Sequence, residues 1–227
     1  MRDRKTSHQP PRSFAYHAAV RELQTGLWHW EAPHPDWTPS NPKDKGTDVS
    51  SYAIDDGERL LLLDPLALPS EIGELAAERE TAIVLTCPWH ERDARSLVER
   101  LGVPVFVPPP DEGNSDVEWL RDDLERLERE GRVFSAGDRL PVGVEAFPGK
   151  EPNDLVLWVE SRRALVVGDT LIERGNELQL PVDWLSEGVT REQMLAVVRP
   201  LLELPVELML PTHGAPTDRA ALERALS

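Results

Sequence analysis

The sequence predicts an α/β (α+β) chain in which two sheets pack face to face with helices outside. Short apolar runs that read as strands fall into two groups, Tyr52 to Val107 and Val144 to Pro216. Each group opens with hairpin-type strands and ends in a strand associated with a helix, and this order suits a layered sandwich.

The first stretch, Phe14 to Leu27, fits a helix or a strand equally well. Trp28, His29, Trp30, His34, Pro35 and Trp37 follow as an aromatic knot. Its tryptophans bury a large area, so the knot is either a lid or edge packed on the core, or a wall of a substrate pocket. Asn41 to Asp48 reads as a loop. Tyr52 to Asp55 and Arg59 to Leu63 are strands joined through Asp56-Gly57, where glycine accepts the positive φ of a tight turn. Ile72, Leu75 and Ala76 repeat at helical spacing, Ala82 to Leu85 is a buried strand, and Ala94, Leu97, Val98 and Leu101 stripe a helix that ends at Gly102. Pro104 to Val107 is a short strand stopped by three prolines. Val117, Leu120, Leu124 and Leu127 mark a helix with a charged outer face. Leu155 to Val159 and Ala164 to Val167 form a hairpin around Glu160 to Arg163, and Gly175 to Gly188 reads as irregular. Thr190 and Gln193 form a capping box before the stripe Met194, Val197, Val198, Leu201 and Leu202. Val206 to Leu210 is the last strand and Thr217 to Leu226 a closing helix.

With 227 residues and 40% hydrophobic content, one core can form without disulfides. The expected organisation is a disordered tail over residues 1–12 and a single domain over 13–227. A formal charge of -16 argues against nucleic acid as a partner. The single cysteine, Cys87, fits a reducing compartment, and no apolar run approaches membrane-spanning length, so a cytoplasmic protein without a membrane partner is expected. Nothing in the sequence sets the oligomeric state.

Four turns directly follow apolar strands: Thr86-Cys87-Pro88-Trp89-His90-Glu91-Arg92-Asp93, Pro148-Gly149-Lys150, Gly168-Asp169-Thr170-Leu171 and His213-Gly214. In that order and spacing they resemble the turns of the metallo-β-lactamase superfamily, over about Val49 to Pro216. The third turn matches that family's Gly-Asp-Thr-Leu outright, and His213-Gly214 matches its last. The resemblance implies an αββα two-sheet sandwich and a site for one or two metal ions at the turns.

It also implies a damaged site. Lys150 stands where the family has a ligand histidine. The first turn admits two registers. One puts His90 on the second family histidine and Asp93 on the last; the other, anchored on Thr86, puts Cys87 and Trp89 on the two histidine positions. The first is preferred because it keeps one imidazole and leaves a carboxylate as a ligand. The candidate metal ligands are then His90, Asp93, Asp169 and His213, a set that accepts one zinc, iron or manganese ion. Asp169, Lys150 and Asp64, which ends the second hairpin strand, are the candidate catalytic residues; Trp28, Trp30, Trp37 and Trp89 are the candidate pocket. Lys150 is expected to pair with Asp169 or Asp93 and so stand in for a metal. Cys87 reads as a small buried residue, or as a nucleophile lacking a third partner. The implied function is hydrolysis of an ester, thioester, lactone or phosphoester with at most one metal ion. The alternative is a metal-free relative that holds a small ligand or protein partner in the old cleft.

Overall fold

The computed structural model describes residues 19–34, 47–110 and 118–227. Trp37, the tail over residues 1–12 and most of the Asn41 to Asp48 loop lie outside the described residues.

One sheet is built in strict chain order from β1 (Arg21–Gln24), β2 (Leu27–Pro33), β3 (Asp48–Asp55), β4 (Arg59–Leu63), β5 (Glu80–Val84) and β6 (Val105–Phe106). Its first four strands are antiparallel. The turn between β3 and β4 is closed by Asp55 and Asp56 carboxylates that accept from the backbone of Gly57, Glu58 and Arg59. Beyond β4 the connections run through α1 (Ser70–Glu78) and α2 (Ala94–Leu101), so β4, β5 and β6 are parallel and their C-terminal ends share one edge. The two helices α3 (Glu118–Asp122) and α4 (Leu124–Arg129) then lead to the second sheet.

That sheet has the order β14-β13-β10-β9-β8-β7, with β7 (Arg139–Leu140), β8 (Val144–Glu151), β9 (Asp154–Val159), β10 (Ala164–Val166), β13 (Leu208–Leu210) and β14 (Thr217–Asp218). Strands β10 and β13 are parallel. Between them lie a small hairpin of β11 (Ile172–Arg174) and β12 (Glu177–Gln179), then α5 (Arg191–Val198), whose expected capping box is present. The chain closes with α6 (Arg219–Ala225).

The burial pattern makes four layers. Tyr52, Ile54, Leu61, Leu63 and Val84 of the first sheet meet Val144, Ala146, Leu155, Leu157 and Val166 of the second in a central core. The opposite face of the first sheet packs on α1 and α2 through Leu60, Leu62, Ile72 and Leu97. That of the second packs on α5 and α6 through Val156, Leu165, Met194 and Leu222. Every residue of β9 is buried, which a strand covered on both faces requires. The fold is an αββα sandwich.

Several stretches depart from the sequence reading: the single helix expected over Val117 to Leu127 is the pair α3 and α4, and Thr217–Asp218, expected in the closing helix, is the further strand β14. The undecided Phe14 to Leu27 region contributes the edge strand β1, whose residues lack an alternating pattern. The segment read as irregular after Gly175 contains β12, too short to announce itself by period. Val197, placed on the apolar stripe of α5, is 39% exposed, because the helix presents Met194, Leu195 and Val198 to the sheet instead.

Candidate active site

The parallel pairs β4/β5 and β10/β13 each deliver two strand ends to one edge, and the two sheets are tied together there. Ser50 N donates to Thr212 O at 2.9 Å, Leu155 N to Thr86 O at 2.9 Å, and Tyr52 Oη to Pro211 O at 2.6 Å. Asp64, Cys87, His90, Lys150, Asp154, Asp169 and His213 gather behind these ties, and none is more than partly exposed.

Asp169 is the hub. Gly168 turns the chain with φ +50 and leaves no room for a side chain, since a Cβ there would lie 2.5 Å from Asp154 Oδ1. The two carboxylate oxygens of Asp169 have different surroundings. Oδ2 accepts from Trp89 Nε1 at 2.8 Å and lies 3.7 Å from Lys150 Nζ. Oδ1 lies 3.2 Å from both His90 Nε2 and His213 Nε2, yet it is buried without a hydrogen bond of acceptable geometry.

His90 is held from behind. Its Nδ1 is 3.0 Å from Asp64 Oδ2 and 3.1 Å from Thr86 Oγ1, and Asp64 also accepts from Thr86 N at 2.8 Å and Thr86 Oγ1 at 2.6 Å. Asp64 is fully buried with φ +43, a left-handed conformation uncommon outside glycine, and it sits against His90. Arg92 binds the same turn, donating to Ser50 O at 2.8 Å and Asp64 O at 2.7 Å. Lys150 Nζ lies 3.9 Å from Asp154 Oδ2, 5.2 Å from the Trp89 ring centre and 6.0 Å from that of Trp184. Asp154 supports the Asp169 turn by accepting from Asp169 N and Thr170 Oγ1.

These contacts divide the charges. Burial opposes a charge on His90, but Asp169 and Asp64 on either side outweigh it and raise the pKa to about 9. Burial carries the His213 pKa below the ordinary value, with Asp169 working the other way. Burial also opposes charge on Asp169, yet the two imidazoles hold its carboxyl well below the usual range. Asp154 is pushed up to about 7 by burial and by Asp169, with Lys150 working the other way. Burial and three neighbouring carboxylates push the Cys87 thiol well above its usual value, which works against a reactive thiolate.

Asp93 departs from expectation. Its Oδ2 accepts from Ala67 N at 2.7 Å, and its main chain begins α2. The cause is Arg92, whose φ of +43 turns the chain away from Asp169. The first turn instead directs Cys87, Trp89 and His90 at Asp169; Cys87 Sγ, a His90 nitrogen and an Asp169 oxygen lie within 4.8 Å of one another.

The aromatic expectations divide in the same way. Trp30 is fully buried in the outer core and donates to Leu66 O at 2.8 Å, and Trp28 packs against the same cluster. Both are therefore core residues on the helix-covered face of the first sheet. The rings set around His213 are those of Trp184 at 5.2 Å, His34 at 5.6 Å and His90 at 5.8 Å. Two openings adjoin the cluster. A groove of about 740 Å³ runs past Gly149, Lys150, Met194 and Val197, and one of about 370 Å³ opens at His213 between Asp48, Glu173 and Arg174.

Asp154 and Trp184 were not expected as site residues. Asp154 follows Pro152-Asn153 and has the composition of any turn, and Trp184 reaches the site from a loop of the Gly175 to Gly188 segment.

The chain has the metallo-β-lactamase fold. Over 92% of its length it superposes on 95% of the DIM-1 metallo-β-lactamase, with TM-score 0.63 and 13% identity. It matches TMB-1 over the same shares, with TM-score 0.62 and 16% identity. It also matches the metallo-β-lactamase family protein TTHA1429 of Thermus thermophilus, with 90% of this chain on 78% of that one, TM-score 0.60 and 19% identity. No protein-family model and no curated protein sequence matches the chain.

Proposed function

We propose that this protein is a hydrolase-like member of its fold class that works on a small ester, thioester, lactone or phosphoester with one metal ion at most. The observation that carries the reading is Asp169 Oδ1, a buried oxygen that two imidazole nitrogens approach at 3.2 Å with poor hydrogen-bond geometry. A buried carboxylate oxygen is rarely left so, and two imidazoles with a carboxylate are a competent donor set for a borderline divalent ion. His90 fits the role further, because Asp64 at Nδ1 leaves Nε2 facing Asp169, the arrangement that orients metal-binding imidazoles. His90, Asp169 and His213 would hold the ion. A second ion does not fit, since Trp89 and Lys150 take up the other oxygen of Asp169.

A bound divalent ion supplies an acidified water and a Lewis acid for the substrate's carbonyl or phosphoryl oxygen. The Lys150 amine lies between Trp89 and Trp184 at the end of the larger groove, where it can face an oxyanion as it develops. Asp64 and Thr86 fix the orientation of His90. The apolar wall of Pro148, Leu155, Met194 and Val197 receives the rest of a small substrate in the reducing interior of a cell.

A specific observation favours the metal-free alternative. With His90 protonated, the buried carboxylates of Asp64, Asp154 and Asp169 face the cations His90, Lys150 and Arg92, and the cluster balances without an ion. Elemental analysis of protein purified without added metal or chelator separates the two, together with esterase and lactonase turnover before and after zinc addition. Up to one ion per chain with zinc-dependent turnover supports the hydrolase. No ion retained after zinc exposure, and no turnover, gives the ligand-binding relative; two ions per chain refute both.

A further inference from the structure

We propose that Cys87 is a fourth donor to the single ion, completing a Cys-His-His-Asp set with His90, His213 and Asp169 that takes zinc in preference to iron or manganese. The inference rests on the one-ion reading above and adds a thiolate to it.

Geometry is the first support. Cys87 ends the run of β5 in extended conformation, with φ -150 and ψ 156, and its side chain is fully buried. Its sulfur, a His90 nitrogen and an Asp169 oxygen are mutually within 4.8 Å. Tetrahedral donors at ordinary zinc bond lengths stand about 3.3–3.7 Å apart, so these three must draw closer; His213 stands outside their mutual spacing and joins through its Nε2, 3.2 Å from Asp169 Oδ1. Asp169 Oδ1, 3.2 Å from both His90 Nε2 and His213 Nε2, is the oxygen that the two imidazoles share.

Charge is the second support. A divalent ion brings two positive charges to a pocket walled by the side chains of Asp64, Asp154 and Asp169, and a Cys87 thiolate adds one more negative donor; its proton passes to solvent buffer as the sulfur-metal bond forms. Thiolate softness then sets the preference for zinc.

The test is titration of chelator-treated full-length protein with cobalt(II) chloride, followed by absorption. The expected result is one cobalt per chain with visible bands of a tetrahedral ion and a thiolate-to-cobalt charge-transfer band in the near ultraviolet. Cys87→Ser should abolish the near-ultraviolet band, keep the visible bands and weaken cobalt at least about tenfold. Manganese should fail to displace zinc from the parent. Cobalt bound at one equivalent without the charge-transfer band overturns the thiolate and leaves the one-ion hydrolase standing. No cobalt bound at all overturns both. The band is read in the unaltered protein, so the answer does not depend on the variant folding.

Discussion

Chelator-treated protein should lose stability as the pH rises from 6.5 to about 9, with His90 as the cause. In the unfolded chain its imidazole titrates near 6.5; in the fold, Asp169 and Asp64 overcome burial and raise the pKa to about 9. Across that window the folded state keeps a proton that the unfolded state has released. The stabilisation is therefore complete below pH 6.5 and lost above about 9. At about 1.4 kcal/mol for each pH unit, the loss is roughly 3 kcal/mol, and for a chain of this length it lowers Tm by roughly 6–12 °C. The assay is urea unfolding at fixed ionic strength across the window, on the parent and on His90→Gln. Asp154, pushed up to about 7, is held down by the His90 charge, so its titration moves in the variant and the parent-minus-variant difference reports His90 together with this coupling. That difference should shrink as the pH rises. Zinc must give the opposite slope, because a ligand imidazole has to be neutral and the stabilisation by zinc grows with pH. Equal pH slopes for parent and variant would refute the placement of His90 between two carboxylates.

Further outcomes follow from the same contacts. Gly149→Ala should cost at least about 1–3 kcal/mol in thermal unfolding, since its Cβ would lie 2.0 Å from Asp154 O and 2.3 Å from Thr170 Oγ1; an unchanged Tm would contradict that packing. Trp89→Phe removes the donor to Asp169 Oδ2 and should cost about 1–3 kcal/mol in urea unfolding, more than Trp184→Phe, which removes none of the bonds to that carboxylate. Lys150→His exchanges the ammonium beside Asp169 for an imidazole and should raise metal content measured by elemental analysis above that of the parent; a parent that already holds two ions per chain would sink the idea.

The layers were readable because they depend on local pattern. Asp56-Gly57 announces its turn, and the apolar runs of β5, β9 and β10 announce strands covered on both faces. The order of the four turns also announced which residues would meet at an edge. What stayed hidden depends on contacts made through space. Asp154 becomes a site residue because the backbone of Gly168 and Asp169 comes to rest on it, and Trp30 becomes core because the helix-covered face of β2 receives it. Neither event leaves a mark in neighbouring residues.

The first turn shows the difference most sharply. One register makes ligands of His90 and Asp93; the other puts Cys87 and Trp89 on the two histidine positions. In this chain Pro88–His90 is one turn of 3-10 helix, closed by His90 N donating to Cys87 O at 3.1 Å. Such a helix has three residues per turn, so residues three apart stand above one another. Cys87 and His90 therefore stand above one another, and Trp89 reaches the same carboxylate through its long side chain, donating from Nε1 to Asp169 Oδ2. Pro88 carried the signal: proline favours the first position of a helix, where its missing N–H costs nothing. A helix begun at Pro88 puts the thiol and the imidazole side by side at Asp169. It leaves Asp93, three residues further on and beyond the left-handed Arg92, to start α2 instead.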